Sequence, residues 1–410
     1  MNYREAEKWL FSRRRMGMKY GLERMLAMMA EIGHPERAFK TVHIVGTNGK
    51  GSTTAILSEI AKNLGISCGR GTSPHLLHYR ERIAVNDKCI PEDAVAEFIT
   101  DNRHIIRGHS ATFFEITTAM AAWYFASQGV QWVASEAGLG GRLDATRTYD
   151  GMGTIFTGVR VEHSRILGDT REKIAAEKVA IASPGTILIA ASQTPEVEKV
   201  ILETVAREKL KRVLPVPVHT SPLPGAHQLS NGSLACTAAF ELFGRTHNEI
   251  ESAYSRTCTS LRWPGRLDHR RGTPSILFDV AHNPQSMEAL VKYIKPWGQP
   301  VPMVVGFLND KPWRRMVELL KGVAGPVVVT TPESERKLTA KELAVHMKQE
   351  GFQVEVQNEI GNAVARCREI AGNKPMVITG SFYVVGEAIN ESVSQGWVSG
   401  LPNSAEDVLD

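Results

Sequence analysis

The chain has 410 residues, 42% hydrophobic and 22% charged, with a formal net charge of +4. That length predicts two domains, and so small a net charge gives no case for a nucleic-acid partner. Five scattered cysteines (Cys68, Cys89, Cys236, Cys258, Cys367) include no Cys-x-x-Cys pair, which argues against a disulfide framework and a zinc–thiolate site.

Taken in chain order, the first residues carry no apolar signal core, and no apolar run of about 18 residues occurs anywhere; a cytoplasmic protein with no membrane partner is expected. Residues 4–14 and 20–32 have helical spacing, with Leu10 and Phe11 in the first and Leu22, Met25, Leu26, Met28 and Met29 in the second. Val42, Ile44 and Val45 predict a buried strand. A turn carrying Gly46, Gly49 and Gly51 follows, and a helix opens at Ser52 and ends near Gly65. Helices are predicted over 115–127 and 171–181, and strands over 130–134, 154–159 and 186–190. The Pro-rich stretch 214–224 reads as strand plus turn, and a helical stretch runs from 225 to about 243.

Residues 261–266 read as a joint. A second alternating series begins beyond it, with strands at 276–279, 302–306, 327–330, 353–356 and 376–379 separated by helical patterns. The prediction is therefore α/β: an N-terminal P-loop-type parallel-sheet ATPase domain over 1–266, and a smaller Rossmann-like domain over 267–390. Residues 391–410 end in Glu406, Asp407 and Asp410 and are expected to form a mobile tail.

The strand–glycine turn–helix at 41–54 has the parts of a phosphate cradle. Backbone N–H groups converge on the anion, the glycines allow close approach, and Lys50 adds a point charge. Its spacing is not the usual G-x-x-x-x-G-K-[ST], because only Thr47 and Asn48 separate Gly46 from Gly49. Bound triphosphate calls for a divalent cation held by oxygen or imidazole donors. Ser73, Glu136 and His163 qualify, the last two because they sit at predicted strand ends.

Six ordered motifs carry a family resemblance: Gly46-Thr-Asn-Gly-Lys-Gly-Ser-Thr53, Thr72-Ser-Pro-His-Leu76, Glu136-Ala-Gly-Leu-Gly-Gly-Arg-Leu-Asp-Ala-Thr146, Trp263-Pro-Gly-Arg266, Asp279-Val-Ala-His-Asn283 and Thr379-Gly-Ser-Phe-Tyr-Val-Val-Gly-Glu387. Together they resemble the folylpolyglutamate synthase/dihydrofolate synthase family of the Mur ligase superfamily. The resemblance implies an ATP-dependent ligase that adds L-glutamate to a dihydropteroate or folate carboxylate through an acyl phosphate. It implies nucleotide contacts at Thr47, Asn48, Gly49, Lys50, Gly51, Ser52 and Thr53, with Arg266, Asp279 and Asn283 from the second domain across a cleft. Ser73, Glu136 and His163 match the family's magnesium ligands. Lys178 matches a lysine the family carbamylates, a further oxygen donor for a second magnesium. Phe114, Asp144 and Ala145 match the acceptor side, and His282 and Ser381 are expected to face glutamate. Lys50, Lys178 and His282 are the expected catalytic residues, in a monomer.

Departures fall at Arg147, Arg160, Ala180 and Val280. The last two replace family glycines, so a need for positive φ there would alter the geometry. The first two fall beside the acceptor side, leaving a non-folate carboxylate acceptor as an alternative, with a partner-regulated ATPase more remote. A cell-wall Mur ligase is not expected, because the cradle begins at Gly46 with no room before it for a nucleotide-sugar domain.

Overall fold

The computed structural model describes residues 1–17 and 21–399. Tyr20, the first residue of the second expected helix, lies outside them, as do Glu406, Asp407 and Asp410 of the expected tail. Contacts divide the described chain into two units. The first holds 1–75, 79–222 and 228–261, and the second holds 76–78, 223–227 and the chain from Arg262 onward.

The first unit is built on eight strands: β1 (Lys40–Val45), β2 (Cys68–Gly71), β3 (Ile83–Val85), β4 (Lys88–Cys89), β5 (Trp132–Glu136), β6 (Gly151–Phe156), β7 (Ile187–Ala190) and β8 (Lys211–Val213). Their order is β4-β3-β2-β5-β1-β6-β7-β8. The run from β2 to β8 is parallel throughout, and β3 pairs antiparallel with both β2 and β4. Because β2, β5, β1 and β6 are adjacent and parallel, the chain leaves all four at one edge of the sheet, where α/β proteins place their chemistry. Helices Lys50–Asn63, Phe113–Ser127 and Arg171–Val179 follow the expected positions. The helices Glu92–Gly108, Pro195–Glu208 and His247–Ser260 were not anticipated.

One expectation is corrected here. The stretch after Leu214 is not a strand beyond β8. Its Val216 and Val218 N–H groups donate to Thr237 Oγ1 (2.8 Å) and Ser233 Oγ (3.2 Å) on the helix His227–Leu242, so side-chain acceptors replace a sheet neighbour.

The second unit holds β9 (Asp268–Arg270), β10 (Ile276–Asp279), β11 (Val301–Val305), β12 (Ala324–Val329), β13 (Val354–Val356) and β14 (Met376–Thr379), in the order β13-β12-β11-β14-β10-β9. Only β9 runs antiparallel. Alternation divides its core between two faces. Leu277, Met303, Val327 and Val377 pack on one side, and Phe278, Val304, Val328 and Ile378 on the other. The helix Phe382–Ser394 carries the chain past residue 391, and Val398 is buried and bridges to Gly272. The tail expected from 391 is thus ordered structure through this point. No helix among the described residues is long and apolar enough to cross a membrane.

Candidate active site

The cradle forms where β1 ends. Gly49 caps the helix Lys50–Asn63 at φ +85°, a conformation that favours glycine, and a Cβ there would meet Asn231 Oδ1 at 2.5 Å. Among the described residues no side chain caps this helix at its N-terminal residue, Gly49. Thr53 Oγ1, in its first turn, is buried without a hydrogen-bond partner. An orphaned hydroxyl beside uncapped N–H groups fits a phosphate site with its cation.

Four further groups converge on the loop. Lys50 Nζ donates to the Thr47 carbonyl at 3.3 Å and stands 3.8 Å from Glu136 Oε1. Glu136 is the last residue of β5, buried at 6% exposure, and its Oε2 accepts the Ser73 N–H at 2.9 Å. Lys178, on the helix Arg171–Val179, is buried and donates to the Gly46 carbonyl at 2.7 Å. Burial, and then the charge of Lys50, pull its pKa down to about 7. The expected Lys50, Ser73, Glu136 and Lys178 thus gather at the cradle.

His163 is placed differently. It sits at φ +53° at the start of a short helix, with Nε2 3.6 Å from Glu162 Oε1. Among the described residues, no group of three or more His, Cys, Asp or Glu is arranged to hold a metal. Ser73 and Glu136 are joined beside the cradle, and the His163 ring stands beside Glu162. The segment leading to His163 is nonetheless fastened to the cradle, since Arg160 N donates to Thr47 Oγ1 at 3.0 Å.

Of the residues expected on the acceptor side, Phe114 lies against Gly138, where a Cβ would meet its Cζ at 2.5 Å. Asp144 is a clamp for the loop after β5. Its Oδ2 accepts Leu139 N–H at 2.9 Å, and its Oδ1 accepts Thr146 N–H at 3.0 Å and the Thr146 hydroxyl at 2.6 Å. Burial raises its pKa. The Ala145 side chain is buried in the core. Arg147 donates to the Arg142 carbonyl at 2.8 Å, and Arg142 pairs with Glu177 at 2.8 Å.

In the second unit, Asp279 ends β10 and accepts Leu267 N–H at 2.8 Å and Ala281 N–H at 3.0 Å. Burial raises its pKa to about 6. The Arg266 guanidinium stacks over the Phe382 ring at 4.9 Å, and the His282 ring lies 5.6 Å from the same ring. His282 Nδ1 is 3.0 Å from the Val280 carbonyl, so that nitrogen carries the proton and Nε2 is the basic one. Asn283 and Ser381 cap helices through Ser286 N–H (3.0 Å) and Val384 N–H (3.2 Å). Arg266, His282 and Phe382 are thus one cluster. Of the two glycine replacements, Ala180 sits at φ −67° and Val280 is not among the positive-φ residues.

Sequence reasoning missed Thr157, whose hydroxyl donates to the Asn48 carbonyl at 2.6 Å, and the pair Gln228–Asn231 beside the cradle. A hydroxyl closing an apolar strand was the signal available for the first. The second carried none, because its helix is distant in sequence.

Residues 265–382 match the family model described as "Mur ligase, glutamate ligase domain". The chain is 30% identical to the dihydrofolate synthase/folylpolyglutamate synthase of Bacillus subtilis, over 94% of this chain and 98% of that protein. Among solved structures it is similar to a folylpolyglutamate synthase of Thermotoga maritima (28% identity, TM-score 0.84, covering 97% of this chain and 98% of the other). It is also similar to a folylpolyglutamate synthase of Mycobacterium tuberculosis complexed with ADP (26% identity, TM-score 0.85, covering 95% and 97%).

Proposed function

From the premise that this chain belongs to the dihydrofolate synthase/folylpolyglutamate synthase family, we propose that it joins L-glutamate to the carboxylate of dihydropteroate, of a reduced folate, or of both, driven by ATP. The observation that carries this reading at the level of the site is the convergence of Lys50, Glu136 and Lys178 on one uncapped, glycine-built helix N-terminus.

In this reading Thr47, Asn48, Gly49, Lys50, Gly51, Ser52 and Thr53 hold the ATP phosphates. Lys50 follows the charge as the terminal phosphoryl group passes to the acceptor carboxylate and an acyl phosphate forms. The glutamate amine then displaces phosphate. Charge moves among oxygens at both steps, so fixed cations and N–H dipoles supply most of the stabilisation. A divalent cation, when bound, neutralises phosphate charge; Ser73 and Glu136 would hold it, with His163 as an additional proposed donor. A carbamate forms only on a neutral amine, and the depressed pKa of Lys178 favours that form, which supports its carbamylation and a second cation site. Phe114, Asp144 and Ala145 are assigned to the acceptor side, Asp144 by shaping its loop. Arg266, Asp279 and Asn283 are assigned to the nucleotide. The basic Nε2 of His282 suits a contact to the incoming amine, with Ser381 beside glutamate. The reading includes a monomer in the cytoplasm.

Glutamate-dependent phosphate release from ATP, measured with dihydropteroate, tetrahydrofolate and unrelated carboxylates, tests it. Release with either pterin is expected and identifies the acceptor. Release only with an unrelated acid would replace the folate reading with a paralogue of the same chemistry, and release without glutamate would point to a regulated ATPase.

A further inference from the structure

We infer that Thr157 is a positioning residue that sets the shape of the ATP-phosphate cradle, an inference that rests on the ligase reading above. Thr157 directly follows β6 and extends its ladder to β1, its N–H donating to the Val45 carbonyl at 2.8 Å. Its side chain then turns toward the cradle. Oγ1 donates to the Asn48 carbonyl at 2.6 Å, while the Val45 carbonyl lies farther away at 3.3 Å. A hydroxyl has one proton, and the shorter contact takes it.

The same oxygen explains the first glycine of the motif. Gly46 has φ +151°, and a Cβ built on it would fall 1.9 Å from Thr157 Oγ1. The space a side chain would need at Gly46 is occupied by the Thr157 hydroxyl, so the two residues interlock. Two more bonds join the same stretches, Thr47 N–H to the Gly158 carbonyl at 2.9 Å and Arg160 N–H to Thr47 Oγ1 at 3.0 Å, and Lys178 Nζ reaches the Gly46 carbonyl at 2.7 Å from the helix Arg171–Val179. Each of Gly46, Thr47 and Asn48 is therefore tied from outside its own strand and helix. Thr157 is a side chain that ties the carbonyl of Asn48, the residue just before the Gly49 turn. Pinning the Asn48 carbonyl fixes the peptide whose N–H belongs to Gly49, and with it the aim of the N–H groups entering the helix. Thr157 touches neither phosphate nor cation in this account; it acts through the loop.

Thr157→Val keeps the branched shape and removes the donor. Thr157→Ser keeps the donor. ATP affinity by titration calorimetry, with KM for ATP, glutamate and acceptor, reads the difference. Thr157→Val is expected to weaken ATP binding about tenfold, the loss of one part-buried hydrogen bond, and to raise KM for ATP without moving KM for glutamate. Thr157→Ser should restore ATP binding. If Thr157→Val folds poorly, Thr157→Ala, which only removes atoms, is expected to show the same selective loss. ATP affinity of Thr157→Val or Thr157→Ala equal to wild type overturns the inference, as does a loss that Thr157→Ser shares. Failure of the ligase reading is separately visible, because it appears in the wild-type chain as an absence of glutamate-dependent phosphate release.

Discussion

Lys178 and Gly46 meet across 132 positions of sequence: the Lys178 Nζ donates to the Gly46 carbonyl at 2.7 Å. A buried amino group therefore holds the first residue of the cradle. Its pKa falls from 10.5 to about 7, through burial first and the charge of Lys50 second. Between those values the unfolded chain binds the proton more tightly than the folded one, so this group's penalty on folding is full below pH 7 and fades as pH rises toward 10.5. Lys178→Met is expected to lower kcat about 100-fold or more. It should also raise the thermal midpoint at pH 6–7, with the gain shrinking through pH 9–10. Paired activity and unfolding measurements across that range check it; a variant less stable than wild type at pH 6 would contradict the burial argument.

Glu136 and His163 are separable by their surroundings. Glu136 is buried between the Ser73 N–H and Lys50, whereas the His163 side chain is 40% exposed beside Glu162. Glu136→Gln keeps an acceptor for Ser73 and removes the charge, so the fold should survive while phosphate release drops about 100-fold. His163→Ala should mainly raise the magnesium concentration needed for half-maximal rate, about tenfold. Magnesium titrations of both variants distinguish the roles, and near-wild-type curves for both would reject the cation assignment.

Much of this arrangement was legible in the sequence where one local signal sufficed. The apolar run of β1, the glycines at 46 and 49, and the alternation of the second sheet point to their observed structures, whereas Gly51, expected in the turn, lies inside the helix that starts at Lys50. Signals set by distant packing were not legible. β2 is Cys68-Gly-Arg-Gly71, a poor strand by propensity, but a Cβ at Gly69 would strike the Phe125 ring at 2.7 Å. Glycine stands there because a helix ring covers it. Asp144 could be matched to an acceptor site from its motif, but its work as a three-bond clamp depends on a loop path no spacing reveals. Thr157 and Asn231 touch the cradle from elements more than a hundred residues away.

That clamp gives a third expectation. Asp144→Ala leaves the Leu139 and Thr146 N–H groups and the Thr146 hydroxyl without their acceptor. The site is buried, so the expected destabilisation is about 2–4 kcal/mol. Because the loop lies beside Phe114, KM for the pterin acceptor should rise more than KM for ATP. Denaturant unfolding and steady-state kinetics check the two parts, and an unchanged stability would show the hydrogen bonds to be replaceable by water.

Ala180 and Val280 fall where the family resemblance implies glycines, and the backbone shows why other residues fit there. Ala180 closes the helix Arg171–Val179 at φ −67° and ψ −2°, which any residue adopts. Val280 is buried in the core of the second unit, and its Cγ1 would lie 3.1 Å from a Cβ on Gly265, so it fills space that the glycine at 265 leaves open. Restoring glycine should therefore gain nothing. Ala180→Gly is expected to lose about 0.5–1 kcal/mol through backbone entropy. Val280→Gly should lose about 2–4 kcal/mol from the cavity and the freed backbone together. Neither substitution should raise kcat/KM for ATP or glutamate. Chemical denaturation with parallel kinetics decides the matter: a gain in catalytic efficiency from either glycine would mean that the site needs a backbone approach these side chains obstruct.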